Sequence, residues 1–240
     1  MSITQLADAK EDFDHWLETR KDYLSSSEVF TWIGNCPDWW GDRREDVMAG
    51  KQGVKKEFDR ETETSIAHGS FDEQNIQAKF GHAVGCDVQP HNGFFVNDRW
   101  PAIGASIDGF GRPWDFDARH EPNLECPEVH PEFSQDRTLF PYLRDYIDET
   151  GTEFITEVKK STSVKWKKEV PEYYVCQVQT QLAVLEMDYA IIMAETIHRG
   201  EEQKWRNFWD MRAYVIERDP KWERQMDKMN REFVQALKKI

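Results

Sequence analysis

The apolar positions of this chain switch between helical and alternating periods, and the switches mark out its elements. Phe13, Trp16 and Leu17 recur at helical spacing and predict a helix that ends before Ser25-Ser26-Ser27. A short helix over Glu28–Ile33 follows, stopped by Gly34. The stretch Cys36–Gly53, rich in Trp, Pro, Gly and charge, reads as loop. From about Val54 to Phe80 the pattern is helical again, with Ile66, Ile76 and Phe80 on one face. Glu73 falls on that same stripe. An unpaired carboxylate is costly to bury, so Glu73 requires a partner or a metal nearby.

Strands are predicted over Gly93–Val96 and Ala102–Asp108, joined by a turn at Asn97-Asp98, and again over Phe154–Lys159. In the last of these Ile155, Glu157 and Lys159 share one face, and Phe154, Thr156 and Val158 the other. The 48 residues between Asp108 and Glu157 include Pro122, Pro127, Pro131 and Pro141. That is too long for a hairpin loop and reads as an insertion at about 117–152, with one helix around Pro141–Glu149. After Pro171 a helix runs to about Glu186 on a core stripe of Val178, Leu182 and Leu185. Tyr174, Gln177 and Gln181 line up on its adjacent face.

Ala190–Ala194 and Ala213–Glu217 read as strands. The final helix opens with Asp219 as N-cap and Pro220 in the first turn. Its stripe of Trp222, Met226, Met229, Phe233 and Leu237 is core packing. The sum is an α/β fold, a central mixed sheet flanked by helices, in a single domain spanning 1–240.

Composition narrows the function. At 240 residues with 39% hydrophobic and 13% aromatic content, the chain buries a sizeable core and is not disordered. No apolar run approaches the roughly 20 residues that span a bilayer, and MSITQLADAKEDFD is too polar for a secretory signal. The expected location is cytoplasmic, in a bacterial host, without membrane association. Cys36, Cys86, Cys126 and Cys176 contain no CxxC pair, so free thiols are expected; a four-cysteine cluster is the alternative.

A net charge of −14 argues against a general nucleic-acid coat. It leaves room for one basic channel: Lys159, Lys160, Lys165, Lys167 and Lys168 fall within ten residues. A solvated loop explains them too, but their place beside the carboxylates favours a wall that tracks DNA.

Asp108, Glu157 and Lys159 carry the chemistry. Two carboxylates and an ammonium on neighbouring strands make a divalent-metal site with a helper for a water nucleophile, as phosphodiester hydrolysis requires. Glu-x-Lys alone occurs widely by chance, and a surface Asp–Lys–Glu cluster is the bland reading. Its context raises it: Gly69–Glu73 on a preceding helix, Ser106-Ile107-Asp108-Gly109 at a strand end, and Tyr174–Gln179 opening the next helix.

In that order and context the chain resembles the lambda-exonuclease or YqaJ-like viral recombinase family of the PD-(D/E)xK nuclease superfamily. The resemblance runs from about Trp16 to Leu237 and includes Arg20 with Ser26-Ser27-Glu28-Val29, and the late strand Tyr214–Asp219. It departs in its long insertion and in Lys160-Ser161, where the family often has Cys-Pro.

The resemblance implies a restriction-endonuclease-like core and a catalytic set of Glu73, Asp108, Glu157, Lys159 and Gln177. Mg²⁺, with Mn²⁺ able to substitute, would be held by Asp108, Glu157, the Val158 carbonyl and Glu73. Lys159 would orient or help deprotonate the water, and Gln177 would hold it in register. Arg20 and Ser27, the latter expected at a helix N-cap, would grip the 5′-phosphate of the digested strand.

The implied activity is digestion of double-stranded DNA from ends, 5′ to 3′, exposing 3′ strands for an annealing protein, by a homo-oligomer that the family makes a trimer. Alternatives are a structure- or sequence-directed endonuclease on the same core, or a non-catalytic partner-binding module. Trp39, Trp40 and Trp100 fit core packing better than wedging between bases.

Overall fold

Two mixed sheets, rather than one, organise the described residues. The first orders β1 (Ile3–Asp8), β4 (Gly93–Asn97), β5 (Ile103–Ser106) and β2 (Leu24–Ser25); β5 and β2 run parallel and the other pairs antiparallel. The second orders β3 (Cys86–Pro90), β6 (Gly109–Pro113), β7 (Phe154–Ser161), β8 (Tyr189–Thr196) and β9 (Met211–Glu217), with β7 and β8 its parallel pair. This computed structural model describes residues 2–34, 36, 41–54, 73–113, 140–161, 169–196 and 211–239.

The helices are α1 (Phe13–Arg20), α2 (Val29–Ile33), α3 (Arg44–Lys51), α4 (residues 73–84), α5 (Phe140–Thr150), α6 (Glu172–Leu185) and α7 (Pro220–Leu237). Gly34 ends α2 in the left-handed region at φ 79°, where a side chain would be strained. Asp219 caps α7 by accepting from the Lys221 N–H at 2.8 Å. The α3 helix stands where the composition suggested loop. Asp46 closes its first turn by accepting from the Arg43 N–H at 2.7 Å, and Val47 is buried. One buried apolar residue in eight leaves a helical stripe too faint to read from periodicity.

Strands β7 and β8 are buried on both faces, the usual lot of parallel strands under helices. Ile155, Ala190, Ile192 and Ala194 join a core with α6 and α7; Phe154, Val158, Tyr189, Ile191 and Met193 join a second with α4 and α5. The helix expected inside the insertion is α5, and its Leu143 and Ile147 are buried in that second core. Trp100 is buried and donates its indole N–H to Asp227 at 2.8 Å, a core role. Cys36 and Cys176 belong to the first core and Cys86 to the second, so these three free thiols do not gather into a cluster. Cys126, Trp39 and Trp40 lie outside the described residues.

Candidate active site

Asp108 sits where the chain leaves the first sheet for the second. The expected strand Ala102–Asp108 is shorter: β5 ends at Ser106, and Gly109 already opens β6. The register pairs Gly109 with Thr156, which brings Asp108 level with Glu157 across the strands. The long excursion after β6 therefore returns to pair against the strand it left.

Asp108 is fixed through both main chain and side chain. Its carbonyl oxygen accepts from the His91 N–H at 3.0 Å and from Gln77 Nε2 at 2.8 Å. Its Oδ2 accepts from the Val158 N–H at 2.7 Å. In an extended strand the N–H and C=O of one residue leave along the same edge. The Val158 carbonyl therefore points the way its N–H does, beyond the last β6–β7 pair. Gly109 is required by space: a Cβ there would lie 2.7 Å from the Gln89 carbonyl oxygen, 2.7 Å from Thr156 Oγ1 and 2.9 Å from Gln77 Nε2.

Glu157 is buried, only 1% exposed, on the β7 face that meets α6. Gln177 Nε2 donates to its Oε1 at 2.6 Å and Gln181 Nε2 to its Oε2 at 2.6 Å. The two glutamines are one helical turn apart, so a single face of α6 holds both carboxylate oxygens. Lys159, two residues along β7, pairs with Oε1 as well, and its ammonium lies 5.1 Å from the centroid of the Tyr174 ring.

The charges crowd. Burial, then the neighbouring Glu157, push the Asp108 carboxyl well above the ordinary aspartate range; Glu73 adds to this, against Lys159 and the Val158 N–H. Glu73, half-buried at the start of α4, is raised by burial first and then by Glu157, against the opposing charges of Lys159 and Lys10. For Lys159 burial opposes the charged form, but Glu157 and Asp108 outweigh it and hold the ammonium above the lysine range.

Asp108, Glu157, Lys159 and Gln177 thus meet in one place, with Glu73 within electrostatic reach. Gln77 and Gln181 join them, and both were missing from the sequence-predicted set. Gln181 was legible as a helix-face neighbour of Gln177; Gln77 follows Glu73 by one turn. Gln179 turns away instead, donating to the Glu217 carbonyl at 2.7 Å and accepting from the Asp219 N–H at 2.9 Å.

The donor set suits a small hard cation. Among the described residues no three His, Cys, Asp or Glu side chains cluster closely enough to hold a metal by themselves. Mg²⁺, however, needs only one or two carboxylates and keeps several waters. Asp108, Glu157 and the Val158 carbonyl could supply the oxygens. Buried Gln181 Oε1 and Ser106 Oγ, which have no hydrogen-bond partner among the described residues, fit a hydrated ion beside them.

A second constellation lies at the start of the chain. Arg20 stacks 4.3 Å over the Trp16 ring and donates through Nη2 to Ser25 Oγ at 3.2 Å and to the exposed Ser27 Oγ at 3.1 Å. Ser27 is not an N-cap. The cap is Ser25, ahead of a 3-10 turn over Ser26–Glu28, because Glu28 reaches back to accept from the Ser25 N–H at 2.9 Å. The following helix, α2, has five residues, so the helix-end argument for an anion fails there. What remains is the guanidinium and two hydroxyls. Ser25 pairs with Gly104, four residues before Asp108, or about 13 Å along an extended chain. Lys160 belongs to β7, and Lys165, Lys167 and Lys168 lie outside the described residues.

The profile of the YqaJ-like viral recombinase domain matches residues 15–188. Among solved structures, an alkaline exonuclease from Laribacter hongkongensis superposes with a TM-score of 0.61 at 14% identity, over 94% of this chain and 92% of that one. Its complex with dAMP gives a TM-score of 0.61 at 15% identity and the same coverage. A phage-related exonuclease from Haemophilus somnus 129PT reaches 0.51 at 12% identity, over 90% of this chain and 96% of that one. At such identities the likeness is one of fold. No curated protein matches in sequence.

Proposed function

Since this chain belongs to the YqaJ-like viral recombinase domain family, we propose that it is a metal-dependent deoxyribonuclease that digests double-stranded DNA from an end, 5′ to 3′. The observation that carries the reading is the meeting of Asp108, Glu157 and Lys159 at one strand pair, with both Glu157 oxygens held by α6. The exonucleases that share its fold agree with it.

Asp108, Glu157 and the Val158 carbonyl would hold Mg²⁺ or Mn²⁺, with Glu73 completing the shell directly or through water. The ion supplies charge stabilisation at the scissile phosphate and a water of lowered pKa. The residues of the chain do the rest. Gln177 and Gln181 keep the Glu157 carboxylate in one orientation. Lys159, held as an ammonium by Glu157 and Asp108, orients the nucleophilic water and offsets charge at the phosphate rather than serving as its base.

Arg20 and Ser27 take the 5′-phosphate, and their position beside β5 sets the terminal nucleotide at a fixed distance from the carboxylates. Digestion from that end leaves a 3′ single strand, the substrate of an annealing protein. A homo-oligomeric ring, a trimer, would confine the duplex to a basic interior despite the acidic whole.

Nucleotide release from linear duplexes, measured for the wild type and Glu157→Ala, tests the assignment. Release by the wild type alone is expected, and equal release by both proteins overturns it. Covalently closed circles should stay intact; their cleavage would make the enzyme an endonuclease.

A further inference from the structure

Lys51 is absent from every motif that pointed to the active site, yet it is built into the Arg20 constellation. It arrives from the last turn of α3, and its side chain is only 5% exposed. Its ammonium lies 2.9 and 2.6 Å from the two Glu28 carboxylate oxygens and 3.0 Å from the Arg20 carbonyl oxygen. Glu28 in turn accepts from the Ser25 hydroxyl at 2.8 Å. Because Ser25 gives its proton to Glu28, its oxygen can only accept from Arg20. The bonds run from Lys51 through Glu28 and Ser25 to the guanidinium.

Charge decides what this chain of bonds is for. Arg20 and Lys51 carry one positive charge each and Glu28 one negative, so the cluster is net positive by one. A terminal phosphate carries between one and two negative charges near neutrality. Glu28 stands one hydrogen bond behind the hydroxyls that would meet this anion. Without Lys51, its charge would face the phosphate and draw on Arg20.

We infer that Lys51 is a specificity-determining residue for the 5′-terminal phosphate. It neutralises Glu28, so that Glu28 can orient Ser25 and Arg20 without repelling the ligand. This rests on the reading of Arg20 and Ser27 as the 5′-phosphate site. Lys51 itself is a positioning residue, since it reaches the ligand only through Glu28 and the main chain of Arg20.

The test compares the affinity of the full-length protein for 5′-phosphorylated and 5′-hydroxyl duplexes, by fluorescence anisotropy in EDTA, where no cleavage intervenes. The wild type should prefer the phosphorylated end. Lys51→Met should lower that preference about tenfold, the weight of one charge-assisted contact. The double variant Lys51→Met/Glu28→Gln should recover it, because the net charge returns to plus one. A role confined to packing predicts no recovery.

Glu28→Gln alone covers the case in which Lys51→Met does not fold. Its remaining oxygen can keep the bonds from Ser25 and one from Lys51, giving up the second Lys51 contact; the net charge rises to plus two, and the preference should be retained or strengthened. An unchanged preference in Lys51→Met, failure of the double variant to recover, or a weakened preference in Glu28→Gln overturns the inference alone. A wild type indifferent to the phosphate overturns the 5′-phosphate reading beneath it.

Discussion

Gln181 Nε2 stands 2.6 Å from Glu157 Oε2 and 2.7 Å from the Ser106 carbonyl oxygen, so one side-chain amide ties strand β7 to the end of β5. The same two strands carry or precede every carboxylate proposed to hold the metal, apart from Glu73. Geometry between the sheets is thereby set from a helix. Replacing Gln181 by Leu should reduce turnover about 10- to 100-fold and raise the Mg²⁺ concentration for half-maximal rate, as loss of an outer partner to a metal ligand does. A metal titration of activity checks both. An unaltered Mg²⁺ requirement would show that Gln177 holds Glu157 alone.

Lys159 separates binding from chemistry. Lys159→Met removes the ammonium but leaves both carboxylates, so the rate should fall about 10²- to 10⁴-fold. DNA affinity in EDTA should change far less. Single-turnover cleavage beside equilibrium binding measures the two effects. Equal losses in both would move Lys159 from the reaction to the grip on DNA.

The raised Asp108 carboxyl makes a statement about pH. An acid whose folded value is raised holds a proton that the unfolded chain has already released. The folded state gains from this at low pH and loses it as pH rises through the raised value. Metal-free wild type should therefore lose more thermal stability than Asp108→Asn between about pH 5 and about pH 8. Added Mg²⁺ should stabilise the wild type more at the upper end, since only the ionised carboxylate binds it. Thermal melts at the two pH values, with and without the ion, give the comparison. Parallel loss in wild type and variant would mean that Asp108 is ionised in the metal-free protein.

Gly109→Ala probes the turn between the sheets. Its added methyl would meet two oxygens at 2.7 Å, one of them in the Gln89 backbone, which cannot yield as a flexible side chain does. A loss of about 1–3 kcal/mol is expected from such overpacking. Activity should fall beyond what reduced stability explains, because Asp108 must shift with its neighbour. Urea unfolding and assays well below the melting temperature separate the two losses.

The helical period already sets Gln177 apart from Gln179 in the sequence, and α6 treats them as opposites. Two residues apart on a helix point to different sides, so Gln177 reaches Glu157 while Gln179 secures the junction of β9 and α7. Gln181 could be recruited from the same periodicity, being four residues from Gln177. Gln77 could not. Its worth depends on Asp108 and Thr156, which lie 31 and 79 residues away, and nothing local announces that meeting. Lys51 was hidden for the same reason, since its partner Glu28 is 23 residues back and its helix resembled loop.

What the sequence alone determined is what depends on near neighbours. Helix α6, the cap of α7, the alternation of β7 and the shared face of Glu157 and Lys159 all follow from periods of 3.6 and 2. A chemistry could be proposed from them as well, because two carboxylates and a lysine on neighbouring strands suit a divalent-metal site. Tertiary structure decided the rest: that the strands divide into two sheets, that Asp108 lies in the passage between them, and that Gln77 reaches it. Those facts rest on contacts between distant parts of the chain, such as Gln77 with Asp108, 31 residues apart, and Gln77 with Thr156, 79 residues apart. Such pairings are fixed by burial and register in the folded molecule, and no short-range pattern encodes them.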